Sequence, residues 1–466
     1  MWWVMVVILL LWTPSGVLGL EFEEARHLLA RTSFGGTPAD IEVLRPLTYE
    51  AAVDYLLNGV RQQPRTAAPA WVNEPPPLER RTMSEEEQKA FRAHMREHEL
   101  ALKGWWYQEM LSTDSPLTER LTLFWHNHFT SSLQKVRWPA FLYQQNLLLR
   151  QHAVGNFRTF LHAIAKDPAM ILYLDSQTNR KGAPNENFAR ELLELFTLGE
   201  GHYSEQDIKE VARAFTGWEV ERRTGRFRFN ASAHDDGLKT FLGRSGAFDG
   251  EAILDILLEQ PRLAVHLTEK LWWAFVSDTP DAAEVQRLAA LFQQHDYALR
   301  PLLKALFMSS HFRAANNRGS MIKSPVELVV GTLRLFHVPG RDPELLVRAG
   351  RQLGQDLLDP PNVKGWPGGK AWITASTLLA RQQFLQRVLR GQDMPMSANG
   401  QMARAAGDIT PVRPALTFME DKAPGLTPDR LTQLLLPIPP VQSIPPGTEG
   451  RTLVEYLVLD PVYQLQ

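Results

Sequence analysis

The sequence predicts a mainly α protein: a large multi-helix globular domain with a small β-hairpin insertion. Three observations carry this expectation. Apolar residues recur at helical spacing through most of the chain. Capping signatures open many of those runs. One stretch, EVERRTGRFRFN from Glu219, alternates around Thr224-Gly225 as a hairpin does. The expected organisation is a signal peptide over residues 1–19, a helical domain over 20–390 with the hairpin near 218–242, and a Pro-rich wrap over 391–466 ending in a docking segment.

Taken in order, residues 21–31 read as a helix with Phe22, Ala25, Leu28 and Leu29 inward, followed by a turn at Phe34-Gly35-Gly36. Thr37, Pro38 and Asp40 supply an N-cap, a proline at the first helical position and an acid at the third. Thr48 caps a helix that stops at Asn58-Gly59, and residues 61–82 form a Pro-, Arg- and Gln-rich surface connection. Ser84 to Glu87 opens a long helix running toward Met110. In the helix over 117–130, Leu121, Phe124, Trp125 and His128 share one face, and His126 points about 200° away from it. Asp167-Pro168 starts a short helix, residues 251–312 return to helices, and Ser324-Pro325-Val326-Glu327 is a full capping box. A Pro/Gly/Trp loop follows near Trp366, and residues 451–459 dock back as a terminal helix or strand.

Composition narrows the function classes. The formal net charge of the 466 residues is −2, and no basic run with interleaved aromatics occurs, so nothing points to nucleic acid. There is no cysteine, which excludes disulfides, thiolate catalysis and cysteine-ligated metals. Residues 2–12 are uniformly apolar, and Pro14, Ser15 and Gly16 then break the run. A bilayer-spanning helix needs about 20 such residues, so a cleaved export signal fits better, with an uncleaved anchor as the alternative. No transmembrane helix is expected after cleavage.

Residues 184–218 hold the densest set of candidate chemical groups. Asn185 is a good N-cap, Phe188, Leu192, Leu195 and Phe196 form the apolar stripe, and Gly199 and Gly201 end the helix. Ser204 and Asp207 open a second helix. Arg190 sits four residues from both Glu186 and Glu194, which gives those acids a partner, whereas Glu191 has no cation at helical spacing. Glu191 therefore reads either as an ordinary acid on a helix edge or as a desolvated acid suited to acid–base chemistry. Asn187, Glu191 and Glu194 lie along one line beside the stripe.

Other motifs carry two readings each. His94 and His98 in HMREH match the inverted zinc-peptidase pattern, but a five-residue pattern arises easily by chance in a charged helix and no third ligand is marked, so snorkelling or core-edge histidines are the favoured reading. His128 is either a hydrogen-bonded core residue or an acid–base partner of Glu191, with His126 nearby. Asp175, Asn179, Asn185, Glu186 and Asn187 could ligate calcium or magnesium through oxygen, or could serve only as turn and cap residues. His234-Asp235 is a catalytic pair or a local turn. Trp366 and Trp372 either form a stacking platform for a sugar or fasten their loop to the core.

HLLARTSFGGTP, LTLFWHNHFTSS, KDPAMILYLD, NENFARELLELFTLGEGHYSEQDIKEVARAFTGW, HDDGLKTFLG, KSPVEL and PPNVKGWPGG together resemble the bacterial family called domain of unknown function 1800, from about residue 24 to about 390. The resemblance implies an exported or envelope-associated protein, often encoded beside a sulfatase-like family, domain of unknown function 1501. It brings no reaction and no cofactor. It singles out FWHNHF, NENFAREL and HDDG, and leaves HMREH outside the shared motifs.

Two functional expectations follow. One is an exported enzyme acting on an envelope polymer, with Glu191 as acid–base, His126 or His128 as partner, Glu194 beside them, and His234 and Asp235 closing the pocket. The other is a non-catalytic scaffold or glycan-binding partner of a sulfatase-like envelope protein, using Asn185, Asn187, Trp366 and Trp372.

Overall fold

The computed structural model describes residues 19–74, 76, 83–221, 223–338, 342–391 and 426–466. The expected signal peptide, most of the connection over 75–82, and residues 392–425 of the Pro-rich wrap lie outside the described residues. The first helices are α1 (Phe22–Thr32), α2 (Pro38–Leu44), α3 (Tyr49–Asn58), α4 (Glu85–Ser112) and α5 (Pro116–His128). They are followed by α6 (Leu133–Val136), α7 (Pro139–Gln151), α8 (Phe157–Ala165), α9 (Pro168–Tyr173) and α10 (Asn187–Glu191). A π-helix over Leu192–Thr197 continues α10 and leads to α11 (Glu205–Ala214). After two hairpins come α12 (Gly250–Leu258), α13 (Pro261–Phe275), α14 (Ala282–Gln294), α15 (Leu299–Met308) and α16 (Ser310–Arg313). Then α17 (Pro325–Leu335), α18 (Pro343–Gln352) and α19 (Ala375–Arg390) precede two closing helices, Pro428–Leu435 and Gly450–Leu459. The protein is mainly α, as its periodicity requires, and a single continuous apolar cluster runs from Leu20 to Tyr463.

The capping signatures act where they stand. The side chains of Thr37, Thr48, Ser84, Asp167, Ser204 and Ser324 each accept from a backbone N–H in the first turn of the helix that follows. The hairpin over β1 (Trp218–Val220) and β2 (Phe227–Phe229) pairs Trp218 with Phe229 and Val220 with Phe227. The expectation of one hairpin is incomplete. A second joins β3 (Lys239–Phe241) to β4 (Arg244–Gly246). Its turn places Leu242 at φ 47° and Gly243 at φ 78°, the paired left-handed conformation of a two-residue hairpin loop. Leucine is an unusual occupant of such a position. The Leu242 N–H donates to Asp207 Oδ1 (2.9 Å), so the acid that caps α11 also holds this turn.

Helix α5 corrects a second expectation. Its periodicity marks one inward face, yet His126 is as buried as His128, and Leu117 through Leu123 are all buried. The helix runs through the interior and contacts α1, α4 and α7 on different sides. It carries a Glu–Arg dipeptide into that interior, and each charge is matched by a distant partner. Glu119 binds the Arg150 guanidinium of α7 through both oxygens and accepts from Trp106 Nε1 (3.0 Å). Arg120 forms an ion pair with Glu327 at the start of α17. Burial pushes the Glu119 carboxyl up, and Arg150 pulls it back down. Glu109 of α4 faces the same guanidinium at 3.8 Å and accepts the N–H groups of Arg65 (2.9 Å) and Thr66 (2.6 Å), which ties the Pro-rich connection to the core.

Removing one partner strands a buried charge, which costs about 3–5 kcal/mol. Arg150→Met should lower unfolding stability by that amount, and replacing Glu119 by leucine in the same chain should restore part of it. Denaturant titration of both variants checks this. Buried histidines set a second expectation. Burial holds His27 and His126 at about 3 and His266 at about 4, against an ordinary 6.5. A histidine depressed in the folded state takes up its proton on unfolding, so stability is lost as pH falls below 6.5. Between pH 7.5 and 5 each should cost roughly 2 kcal/mol. Asp167, which burial raises to about 7, works in the opposite direction and offsets part of the loss. Urea titrations across this range should show net destabilisation at the acid end, reduced in His126→Asn.

Candidate functional site

The last turn of α5 does not stand alone. Asn127 Oδ1 accepts from the Trp366 N–H (2.7 Å), and Asn127 Nδ2 donates to the Trp366 carbonyl (3.4 Å). One amide thereby satisfies both main-chain groups of a residue in the Pro/Gly/Trp loop. Gly365 makes the approach possible: at φ 79°, a Cβ there would lie 2.2 Å from Asn127 Oδ1. Gly368 and Gly369 also take positive φ, at 71° and 53°, and turn the chain back toward α19. The indoles of Trp366 and Trp372 are 5% and 7% exposed, so they do fasten the loop. Trp366 packs against His126 at 5.7 Å between ring centres.

Between this loop, α5, α13 and the first turn of α17 lies a cleft of about 570 Å³. Its lining includes Phe124, His128, Phe275, Trp273, Trp366 and Trp372. Four cations line it: Arg120, Lys270, Lys364 and Lys370. Two carboxylates face them, Asp278 and Glu327, and Glu327 is already neutralised by Arg120. Lys270 makes no hydrogen bond or ion pair with any described residue, and its ammonium lies 5.8 Å from the Trp273 ring centre. Burial lowers the Lys270 pKa, and Lys364 lowers it further against the pull of Glu269. Trp273 is 45% exposed, unlike the two loop tryptophans. The sequence offered a signal for it. Leu263, Leu267 and Leu271 mark the buried face of α13, with Trp272 and Phe275 beside them, and Trp273 falls off that stripe. Nothing in the sequence marks Lys270 or Arg120, because their exposure depends on elements far along the chain.

The expected site residues do not gather in one place. His128, Trp366 and Trp372 meet in the cleft. Burial, then the charges of Lys270 and His266, hold His128 well below the usual histidine value, so it is neutral. Rings of Phe124, Trp125, Phe129 and Phe196 surround it. Burial alone holds His126 neutral. Glu194 reaches the rim through Lys364 (3.4 Å) and accepts from the Tyr203 hydroxyl (3.4 Å). Its expected pairing with Arg190 does not form: Arg190 binds Glu186 (3.2 Å) and Glu205 (2.9 Å) instead. The cause is the π-helix, whose wider turn moves Glu194 out of i,i+4 register. Glu191 lies outside the cleft lining, half-buried, without a hydrogen bond among the described residues; burial and Glu194 raise its pKa.

His234 and Asp235 lie in the segment between the two hairpins. His234 Nδ1 contacts the Thr216 carbonyl (2.9 Å). Asp235 binds Arg213 (2.8 Å) and accepts from the Gly237 N–H (3.0 Å), and Arg213 holds its carboxyl at about 2. Asn185 and Asn187 belong to another group. Asn185 Oδ1 accepts from the Asn187 N–H (2.9 Å), so it satisfies the first turn of α10 from one residue outside the N-cap, Glu186. Asn187 Nδ2 donates to Asp175 (3.1 Å), whose carboxylate also binds the Lys135 ammonium (2.7 Å). In the long helix, His98 stacks on Trp71 at 4.3 Å between ring centres, and His94 lies beside it at the surface. Among the described residues no group of three or more His, Asp or Glu side chains is placed to hold a metal ion. Among them, too, no helix is long and apolar enough to cross a membrane.

No curated protein and no solved structure gives a match to this chain. The family described as "Protein of unknown function (DUF1800)" matches residues 27–465. That span takes in the Asn127 clamp, the Trp/Gly loop, the cleft and both hairpins, and the chain belongs to the DUF1800 family.

Proposed function

We propose that this chain is an exported binding protein for an acidic carbohydrate polymer, seated in the cleft between α5, α13 and the Lys364–Trp372 loop. One observation carries the reading: the exposed indole of Trp273 stands beside the unpaired ammonium of Lys270, with Lys364 and Lys370 around it. An indole face takes the apolar face of a sugar ring, and ammonium groups take its carboxylate or sulfate substituents. The cleft has the volume and mixed lining of a ligand site. Export is supported by the apolar run over residues 2–12. In this reading the protein presents polymer to a sulfatase-like envelope partner, which pull-down from envelope extracts tests directly.

A second reading places acid–base chemistry at Glu191, and its support is the half-buried carboxyl with a raised pKa and no hydrogen-bonded partner. It predicts cleavage or modification of an envelope polymer, at a site apart from the cleft, that Glu191→Gln abolishes.

The binding reading makes its own measurement. Titration calorimetry with a uronic-acid or sulfated oligosaccharide should show binding that the neutral counterpart lacks. Trp273→Ala should weaken it about tenfold, the scale of one aromatic contact. Lys270→Met should weaken it similarly and reduce its dependence on salt. Equal affinity for the neutral oligosaccharide, or variants that bind as the parent does, would overturn the proposal.

A further inference from the structure

Arg26 of α1 is 6% exposed, and its guanidinium has no hydrogen bond and no ion pair with any described residue. The carboxylate nearest in charge terms, Glu23, is engaged by Arg318. A buried cation without an acceptor is costly. Arg26 lines a partly open cavity of about 40 Å³ together with Lys323, Gly35, Gly36 and Tyr463, and its other side borders a wider cleft shared with Asp429. Lys323 donates to the Tyr463 carbonyl (2.6 Å) and sits 4.3 Å from that ring's centre, with no carboxylate of the described residues in ion-pairing range. Glu327 reaches the same cavity, but Arg120, the Ser324 N–H (2.5 Å) and Gln466 Nε2 (3.1 Å) occupy its oxygens. Among the described residues the amide N–H groups of Gly35 and Gly36 have no acceptor, and Gly35 takes φ 102°.

We propose that this cavity binds one small inorganic anion, held between the Arg26 guanidinium, the Lys323 ammonium and the Gly35-Gly36 turn. Two cations and the Gly35-Gly36 segment line a volume that admits a halide or a single tetrahedral oxyanion, with room for little more. The anion joins three distant parts of the chain: α1, the segment leading into α17, and Tyr463 near the end of the described residues. Burial, with the charges of Arg26 and Arg381 close by, lowers Lys323 to about 7, and a bound anion opposes that lowering. This inference is independent of the carbohydrate cleft.

The test is thermal unfolding of the full chain in gluconate buffer at constant ionic strength, since gluconate is too large for the cavity. Chloride, phosphate and sulfate are titrated separately. At least one should raise Tm saturably by about 4 °C or more, and Arg26→Met and Lys323→Met should lose most of that response. Calorimetric titration of the unmodified chain with the same salt should give one site per chain, which decides the matter even if the variants do not fold. Absence of any shift relative to gluconate, or an undiminished shift in Arg26→Met, overturns the proposal.

Discussion

The buried Glu119-Arg120 dipeptide imposes the main constraint on this fold. A helix that passes through a protein interior has no solvent face on which to leave its charges. Here the two opposite charges are adjacent and are matched by different elements, Glu119 by Arg150 of α7 and Arg120 by Glu327 at the start of α17. Neither pair adds much stability beyond what apolar residues of the same volume would give. What they add is register: α7 and α17 must sit where their charges meet those of α5. The same pairing leaves Arg120 on the cleft side, over the Phe275 ring at 5.8 Å.

A second constraint comes from the π-helix. Its wider turn misaligns carbonyls that an α-helix would satisfy internally. Side chains of α13 supply the missing donors: His266 Nε2 lies 3.0 Å from the Leu195 carbonyl, and Arg262 Nε donates to that of Leu198 (2.9 Å). Arg262 is steadied in turn by Glu269 (2.8 Å). These contacts fix the rotation of α13, and with it the placement of Lys270 and Trp273 on the cleft wall. The cleft therefore inherits its geometry from main-chain requirements on one side and charge burial on the other.

Much of this was legible in the residues. The caps at Thr37, Ser84, Ser204 and Ser324 are local chemistry, and each opens its helix. The loop tryptophans pack as fasteners and also line the cleft. Three features escaped for physical reasons. Burial around all sides of α5 depends on which helices cover it, and periodicity reports only the most apolar side. The π-helix has no compositional mark, so ordinary helical spacing pairs Glu194 with Arg190. The second hairpin turns on Leu242, a residue whose propensity argues against a left-handed turn, and it is Asp207 from another element that holds it there.

The Asn127–Gly365 contact spans 239 residues of sequence between Asn127 and Trp366 and tolerates no added atom. The final turn of α5 and the KGWPGG loop must consequently vary together: a homologue that widens position 365 has to shorten or reorient the side chain opposite. Anyone transplanting this loop onto a relative to alter what the cleft accepts would need to move both segments as one cassette.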